Sequence, residues 1–337
     1  MKALRQLLLA LAVLLGLVLV TACGSSSDGQ DADAGESTVV GSVDRGPTKD
    51  VTQAGDSLKV VALGWSDGEI AASLGVTPIA IYDWQGHGEA NKGVGPWAKD
   101  AVADDEVTVI KNSGTTYNYE QIELLEPDLI LNVRAAADQK VFDRLSKIAP
   151  VATAPEDAPD FAVDWRTQTE IVGKAIGKVD EATSAVAATD TIITDAAKAN
   201  PEFKDTSFAY GVKFGDGYGG YVKGDARFDV FGELGFAENP ALRKLAPSGG
   251  FFAPIAAEQV KALDADVTVL STIALPLKDL QDDTKVTSLE VVKDKRAIVL
   301  DEKDEVNVAL AAGTPQSIGI AVDKVLPDLK KAVAKGE

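Results

Sequence analysis

Short apolar runs alternate with helical spacings along most of the chain. The run at residues 59–63 predicts a buried strand, and the apolar positions at 70–74, closed by Gly75, predict a short helix. Because strands that alternate with helices form parallel sheets, this half of the chain predicts an α/β lobe with helices on both faces. The pattern continues to Pro150 with strands at 79–81 and 128–133 and helices at 118–125 and 139–148.

A helical segment, free of Gly and Pro from residue 180 to residue 200, divides the chain. Residues 165–176 predict one helix, and the Ala-rich residues 180–200 predict a second helix of about 30 Å. After Pro201, strands are predicted at 207–214, 266–271 and 297–300, and helices at 228–234, 260–263 and 314–334, the last kinked at Pro327. We therefore expect an N-terminal α/β lobe at 58–178 and a C-terminal α/β lobe at 201–337, joined by a connecting helix at 179–200.

A repeated segment relates the two lobes. Residues 120–129 (EQIELLEPDL) align with residues 258–267 (EQVKALDADV) at an offset of 138, with Glu, Gln, Leu and Asp identical. A short helix also ends in Leu-Gly in each half, at Leu74-Gly75 and at Leu234-Gly235. We interpret the halves as two similar doubly wound lobes joined by a long interdomain helix, with a ligand cleft between them.

The composition excludes several classes of function. The net charge is −19 over 337 residues, and it becomes about −21 without residues 1–22, which carry two basic and no acidic side chains. Phosphate binding needs clustered Lys and Arg, so nucleic acid is excluded as a partner. A single His87 and a single Cys23 argue against a zinc site, and no G-x-S-x-G motif occurs. We therefore expect no enzymatic activity and no cofactor.

The N-terminus has the organisation of an export signal. Lys2 and Arg5 precede an apolar run of 14 residues, Leu7–Val20, which is too short to cross a membrane comfortably. The pair Thr21-Ala22 before Cys23 resembles the lipobox of bacterial lipoproteins. This resemblance implies a signal peptide at 1–22 and a lipidated Cys23, carrying palmitate or a similar acyl chain; an ordinary secretory signal is the alternative. Residues 23–57, rich in Ser, Gly, Asp and Thr, predict a disordered tether.

Four short segments resemble those of helical-backbone substrate-binding proteins of ABC importers, and most of all the iron-siderophore binders. They are Leu74-Gly75-Val76, LLEPDLI at 124–130, LSKIAPV at 145–151 and FGELGF at 231–236. The resemblance extends from about Lys59 to Lys335. It implies a monomeric receptor, lipid-anchored to the outer face of the cytoplasmic membrane. Such a receptor binds a ferric siderophore and delivers it to an ABC permease with its cytoplasmic ATPase for iron uptake.

Candidate ligand contacts follow from the position of the loops. Ligands of doubly wound lobes lie beyond the carboxyl ends of the strands. Aromatic faces suit a bulky organic chelate, and Arg suits its anionic oxygens. The predicted ligand-binding residues are Trp65, Trp84, Trp97, Tyr117, Arg134, Lys213, Tyr218, Tyr221, Arg227 and Phe252. Because a siderophore wraps its ferric iron, no side chain is predicted to ligate a metal.

The resemblance also implies a role for one carboxylate in each repeat. Glu120 and Glu258 stand at the start of equivalent helices, where relatives dock against arginines of the permease. Stabilisation of the helix N-terminus alone is the alternative.

Other interpretations remain open. Haem or cobalamin would also suit such a cleft, and haem would need His87 or a tyrosine as an iron ligand. A non-transport envelope scaffold would have the same fold with an empty cleft, whereas an exported hydrolase has the least support. The segment Gly215–Gly220 fits G-x-G-x-x-G, but no helix is predicted after it, so we interpret it as a flexible loop at the mouth of the cleft.

Overall fold

A β-hairpin begins the folded body. The computed structural model describes residues 37–45, 47–111, 114 and 116–336. Strands β1 (Thr38–Val43) and β2 (Lys49–Gln53) pair antiparallel. The predicted tether at 23–57 is therefore wrong from Thr38 onward, because a Ser- and Thr-rich composition conceals two strands that each bury a valine, Val43 and Val51. The predicted signal peptide, Cys23 and the tether up to residue 36 lie outside the described residues.

The first sheet is entirely parallel. Its strands are β3 (Val60–Ala62), β4 (Ala80–Asp83), β5 (Thr108–Lys111), β6 (Leu129–Asn132) and β7 (Val151–Thr153), in the order β5-β4-β3-β6-β7. The helices of this part are α1 (Asp67–Ser73), α2 (Tyr119–Leu124), α3 (Gln139–Leu145) and α4 (Trp165–Ala175). The chain leaves β3 towards one edge and returns at β6 towards the other, so the carboxyl ends of β3 and β6 form the topological switch point at which ligands bind in such sheets.

Local signals explain where these helices begin and end. The Asn118 side chain accepts a hydrogen bond from the Gln121 amide at 3.2 Å, which confirms the predicted N-cap of α2. Gly75, with φ of 89°, follows the C-cap of α1, as predicted. The long helix α5 (Val179–Ala199) is confirmed, but its N-cap is Lys178, and Asp180 lies in its first turn.

The second sheet mixes parallel and antiparallel pairs. Its strands are β8 (Ser207–Phe214), β9 (Gly217–Tyr221), β10 (Ala237–Glu238), β11 (Phe252–Ile255), β12 (Val267–Thr272) and β13 (Ala297–Val299). The order is β11-β9-β8-β12-β13, with β10 also beside β8; β9 and β11 run antiparallel to their neighbours. The flexible-loop interpretation of Gly215–Gly220 is wrong, because residues 217–220 belong to β9. A Cβ at Gly219 would lie 2.0 Å from the Phe252 ring, so this glycine admits the aromatic side chain of β11.

Helices cover the second sheet and connect it to the first. They are α6 (Ala226–Glu233), α7 (Pro240–Arg243), α8 (Leu277–Gln281), α9 (Thr284–Thr287), α10 (Glu290–Lys293), α11 (Glu305–Ala312) and α12 (Pro315–Val333). The predicted helix at 260–263 is part of a 3-10 helix, Ala257–Leu263. We call the first sheet with α1–α4 the first lobe, and the second sheet with α6–α12 the second lobe.

The two lobes share packed contacts. Helix α5 packs against α4 of the first lobe and against α6 and α12 of the second. Trp165, the first residue of α4, is buried in the apolar core that also contains Phe208 and Ile318 of the second lobe. The α/β architecture with two sheets joined through a long helix is therefore confirmed. Over the described ranges, the helices are too short or too polar to cross a membrane.

Candidate functional site

Three aromatic rings stack beyond the carboxyl ends of the first sheet. The Trp65 ring lies parallel to the Trp84 ring, with 4.5 Å between the centroids, and its other neighbour is Phe161 at 4.3 Å. All three side chains are half-buried. Trp65 and Trp84 follow strands β3 and β4, so the topology brings together two of the predicted ligand-binding residues. Together the rings form a partly exposed apolar cluster next to the switch point.

A buried carboxylate fixes the backbone beneath this stack. Asp67, in the first turn of α1, accepts hydrogen bonds from the Val133 amide and from Gln168 Nε2, both at 2.7 Å. These bonds tie the loop after β3 to the loop after β6 and to α4. Burial raises the pKa of Asp67 to about 6, although the hydrogen bonds oppose this shift.

Tyr117 lies on the same side of the first sheet. Its hydroxyl donates to Asn132 Oδ1 at 2.9 Å, and its ring meets the Tyr82 ring edge-on at 6.1 Å. Burial raises the pKa of Tyr117, so the hydroxyl stays protonated and acts as a donor. Trp65, Tyr117 and Asn132 line one small cavity of about 20 Å³, which places the predicted tyrosine beside the aromatic stack.

Trp97 has a different environment from the other two predicted tryptophans. Its indole Nε1 donates to Glu69 Oε2 at 2.8 Å, while Glu69 Oε1 accepts from the Gly95 amide at 2.7 Å. The ring also packs against the core of the second lobe and meets His87 edge-on at 6.0 Å. Burial raises the pKa of Glu69 to about 7. Trp97 thus contributes to the contact between the lobes, and its ligand contact stays a prediction.

His87 is held within its own loop. Its Nε2 lies 3.1 Å from Gln85 Oε1, and burial lowers its pKa, so the neutral ring is favoured at neutral pH. Gln85 itself donates through Nε2 to the Val308 carbonyl of α11 at 3.0 Å. This loop is therefore a second place where the first lobe contacts the second.

Arg134 joins the first lobe to the second. Its side chain is buried, and Nη1 donates to the carbonyls of Ala311 and Ala312 at 2.9 and 3.0 Å. These carbonyls end helix α11, where a cation is favourable. The guanidinium also lies 3.8 Å from Asp225 of the second lobe. Arg134 is 4% exposed and its donors are used within the protein, so its ligand contact stays a prediction.

Arg227 and Tyr221 belong to the same buried network. Asp225 N-caps α6 and accepts from Arg227 Nε and Nη2, both at 2.8 Å. The Arg227 guanidinium stacks 3.5 Å from the Tyr221 ring centroid, and the Phe252 ring lies 5.2 Å from that of Tyr221. Burial alone would raise the pKa of Asp225, but Arg227 and Arg134 outweigh it and hold the pKa below its ordinary value. Tyr221 is only 5% exposed and packs in the core of the second lobe, so its ligand contact stays a prediction.

Lys213 and Tyr218 converge on one carboxylate at the end of β8. Asp283 Oδ2 accepts from Lys213 Nζ at 2.7 Å and from the Tyr218 hydroxyl at 2.6 Å. Burial opposes ionisation, but these two donors prevail and lower the pKa of Asp283 to about 2. Lys213 is therefore neutralised locally, and Tyr218 is buried. The ligand contacts of both residues stay predictions.

The two predicted docking carboxylates are exposed. Glu120 lies in the first turn of α2 and Glu258 in the first turn of the 3-10 helix Ala257–Leu263, so the repeat places them at equivalent positions of the two lobes. Across the described residues, no group of three or more His, Cys, Asp or Glu side chains is arranged to hold a metal ion.

Sequence reasoning missed Phe161, Asp225 and Asp283. The two aspartates N-cap α6 and α9, so a systematic search for caps would have found them. Phe161 lies in an irregular loop between β7 and α4, where no periodicity predicts its neighbours.

Comparison with known proteins agrees with this architecture. Residues 60–303 match the family described as periplasmic binding protein. The chain is 30% identical over 177 residues to YhfQ of Bacillus subtilis (strain 168), whose curated name is that of an ABC transporter substrate-binding lipoprotein. That match covers 52% of this chain and 51% of YhfQ, so the chain spans about half the length of this curated relative.

Solved structures match over more of the chain. A periplasmic solute binding protein from Mycobacterium smegmatis is 27% identical with a TM-score of 0.73, covering 87% of this chain and 99% of that one. PiaA of Streptococcus pneumoniae TIGR4, solved in complex with ferrichrome, is 23% identical with a TM-score of 0.69, covering 83% and 94% of the two chains. At that identity the likeness to PiaA shows the fold alone.

Proposed function

This chain belongs to the periplasmic binding protein family, and we propose that it binds a ferric siderophore and delivers it to the permease of an ABC importer. The family consists of solute-binding proteins, so the protein captures its ligand without covalent chemistry. We further propose that a lipid on Cys23 holds the receptor at the outer face of the cytoplasmic membrane. The curated name of YhfQ, which describes a lipoprotein, supports this anchor.

The aromatic stack carries this proposal. The rings of Trp65, Trp84 and Phe161 lie at the switch point and remain half-exposed, although they are large and apolar. Such a surface binds the organic shell of a chelate through stacking and dispersion contacts. The ferrichrome complex of PiaA, which has the same fold, supports a ferric chelate as the ligand class.

We expect ferric chelates to quench the tryptophan fluorescence of the purified protein in a saturable way. Trp84→Ala should weaken binding about tenfold, because one stacked ring accounts for about 1 kcal/mol beyond its buried area. The measurement is a fluorescence titration with ferrichrome, ferric citrate and a ferric catecholate, and with haem and cobalamin in parallel.

The matched control is Trp165→Phe. Trp165 is buried in the core, and its indole N–H has no hydrogen-bond partner among the described residues, so this change should leave affinity for the chelates unaltered. No saturable response to any ferric chelate would refute the proposed ligand class. A response only to haem or cobalamin would assign one of those ligands instead.

We expect that changes to the exposed carboxylates Glu120 and Glu258 will abolish iron uptake without affecting chelate binding. Replacing Glu120 and Glu258 together by Ala should leave chelate affinity within twofold of the wild-type value, because both side chains are exposed and neither lines the cavities beside the stack. Iron uptake by cells that depend on this receptor should fall to background, because the permease loses one charged contact on each lobe.

Two other exposed acids, one on each lobe, provide the control for the uptake assay of the Glu120 and Glu258 variant. Glu123 of α2 and Glu290 of α10 are both exposed, so the pair Glu123→Ala and Glu290→Ala removes the same charge from the same two lobes. Equal uptake by the two double variants would show that Glu120 and Glu258 act only at their helix ends.

A further inference from the structure

A second cavity adjoins the aromatic stack at the carboxyl ends of β6 and β7. It has a volume of about 300 Å³, and Asn132 and Thr153, the last residues of these strands, are paired in register at its base. Arg45, from the turn of the N-terminal hairpin, lies on its other side. We call this cavity the Arg45 recess; its lining includes Arg45, Asn132, Ala136, Asp138, Phe142 and Thr153.

The Arg45 recess contains hydrogen-bonding groups that the protein leaves unused. Asn132 is 6% exposed, and its Oδ1 accepts from Tyr117, but its amide nitrogen has no partner within the described residues. The Thr153 hydroxyl is buried and likewise unpartnered there. Buried polar groups of this kind cost free energy unless a ligand or water satisfies them, so their presence together points to a ligand.

Arg45 supplies the positive charge of the Arg45 recess. Its guanidinium stacks on Phe142 at 4.0 Å and donates from Nη2 to Gln139 Oε1 at 2.8 Å. These contacts fix its orientation without neutralising it, because no carboxylate of the described chain lies within ion-pair distance of Arg45. On a chain with a net charge of −19, an arginine without an acidic partner is suited to an anion.

Two acids, Asp138 and Glu156, also line the Arg45 recess, but neither is within ion-pair distance of Arg45. Asp138 Oδ1 accepts from the Lys140 and Val141 amides at 2.7 and 3.2 Å, so the carboxylate caps helix α3. Glu156 is exposed at the rim. The groups left to bind a ligand are therefore donors: the Arg45 guanidinium, the Asn132 amide and the Thr153 hydroxyl.

We propose that the Arg45 recess binds a carboxylate arm of the ligand while the aromatic stack holds its apolar part. Asn132 and Ala136 line both this recess and the small cavity beside Trp65 and Tyr117, so one bulky ligand can reach both. A planar carboxylate matches the donor fork of Arg, which a neutral hydroxamate chelate does not exploit. The proposal rests on the proposed function for the ligand, and assigns that ligand to the ferric siderophores with a free carboxylate.

Iron-free citrate tests the recess without depending on iron binding. Titrating citrate into the ¹⁵N-labelled protein should shift the Arg45 Nε–H and Asn132 side-chain amide signals in a saturable way. Arg45→Gln should weaken citrate binding at least tenfold, because a charge-assisted hydrogen bond is lost. Thr153→Val should weaken it several-fold without lowering the melting temperature, because the valine removes a hydroxyl that has no partner in the protein.

Arg144→Gln is the matched control. Arg144 is also on the first lobe and also stacks on an aromatic ring, Tyr119 at 3.6 Å, but it does not line the Arg45 recess. Its variant should bind citrate within twofold of the wild type. The absence of saturable shifts at Arg45 and Asn132, or an equal effect of the two arginine changes, would overturn the proposal.

Chelate titrations separate this inference from the proposed function. Arg45→Gln should lower affinity for ferric citrate about tenfold and leave affinity for ferrichrome, which has no free carboxylate, within twofold. An equal loss for both chelates would reject a carboxylate subsite while leaving siderophore binding intact. If no ferric chelate binds, the catecholate included, the proposed function fails, and the citrate titration still decides whether the recess binds carboxylates.

Discussion

Asp225→Ala is expected to lower the free energy of unfolding by about 3–5 kcal/mol. Asp225 is 2% exposed and is the carboxylate partner of Arg227 and, at 3.8 Å, of Arg134. Its removal leaves two arginines buried without a counter-charge, which costs far more than the lost attraction alone. It also removes the N-cap of α6, for about 1 kcal/mol more. Urea unfolding of the purified protein measures the difference.

Asp164→Ala is the control for this change. Asp164 also N-caps a helix, α4, and also lies near an arginine, with 3.7 Å between its carboxylate and Arg166, but its side chain is 47% exposed. Asp164→Ala is expected to lower the free energy of unfolding by about 1 kcal/mol, since water replaces an exposed partner at little cost. If the two variants were equally stable, the ion-pair network around Asp225 would not hold the lobes together.

Glu69 should make the protein less stable as the pH rises from about 4.5 to about 7. Its pKa in the folded state is about 7, against 4.5 for an unperturbed glutamate, because burial penalises the charged form. The folded state therefore binds a proton that the unfolded state has already lost in this window, and stability falls with rising pH. A displacement of this size corresponds to about 3 kcal/mol.

The pH dependence can be assigned to Glu69 by difference. In Glu69→Gln the group cannot ionise, so the wild type should lose about 3 kcal/mol more than this variant between pH 4.5 and pH 8. Asp67, whose pKa is raised to about 6, also lowers the free energy of unfolding as the pH rises. Both proteins contain Asp67, so its contribution cancels in the difference between them. Glu89→Gln, an exposed acid of a neighbouring loop, should give a flat difference. A flat difference for Glu69→Gln too would mean that Glu69 ionises as in the unfolded chain.

Much of the fold could be predicted because the spacing of the apolar residues and the Gly, Pro and capping residues indicate the same helices and strands. Strand β8 was predicted with its correct bounds, and α5 was evident as a run of some twenty residues without Gly or Pro. The hairpin β1–β2 and strand β9 could not be predicted, because their residues are mostly polar or Gly. These strands are stabilised by what packs on them, such as Phe252 over Gly219, and this information is not local.

The sequence predicts which residues lie near the site better than it predicts what each of them does there. The topology places Trp65, Trp84 and Tyr117 together, as the rule for carboxyl ends of strands predicts. Arg134 follows the same rule, yet its side chain is buried between the lobes. Tyr221 ends the antiparallel strand β9, where it pairs with Tyr210 of β8, so it lies away from the carboxyl edge of the sheet. Loop position alone cannot tell these outcomes apart, because a guanidinium satisfies an anionic ligand and a helix C-terminus with the same donors. The carbonyls that Arg134 contacts at the end of α11 are 177 and 178 residues away in sequence, and this helix was not predicted.

The hairpin determines how the body responds to a pull from its N-terminus. Thr38 pairs with Gln53, so the chain enters and leaves the hairpin at the same end. Tension on Thr38 therefore opens the ladder one pair at a time, like a zipper, instead of shearing all the pairs together. Once peeled off, residues 38–57 would add about 65 Å of extended chain. The distance between Thr38 and the two sheets would thus grow under load while both sheets stay folded.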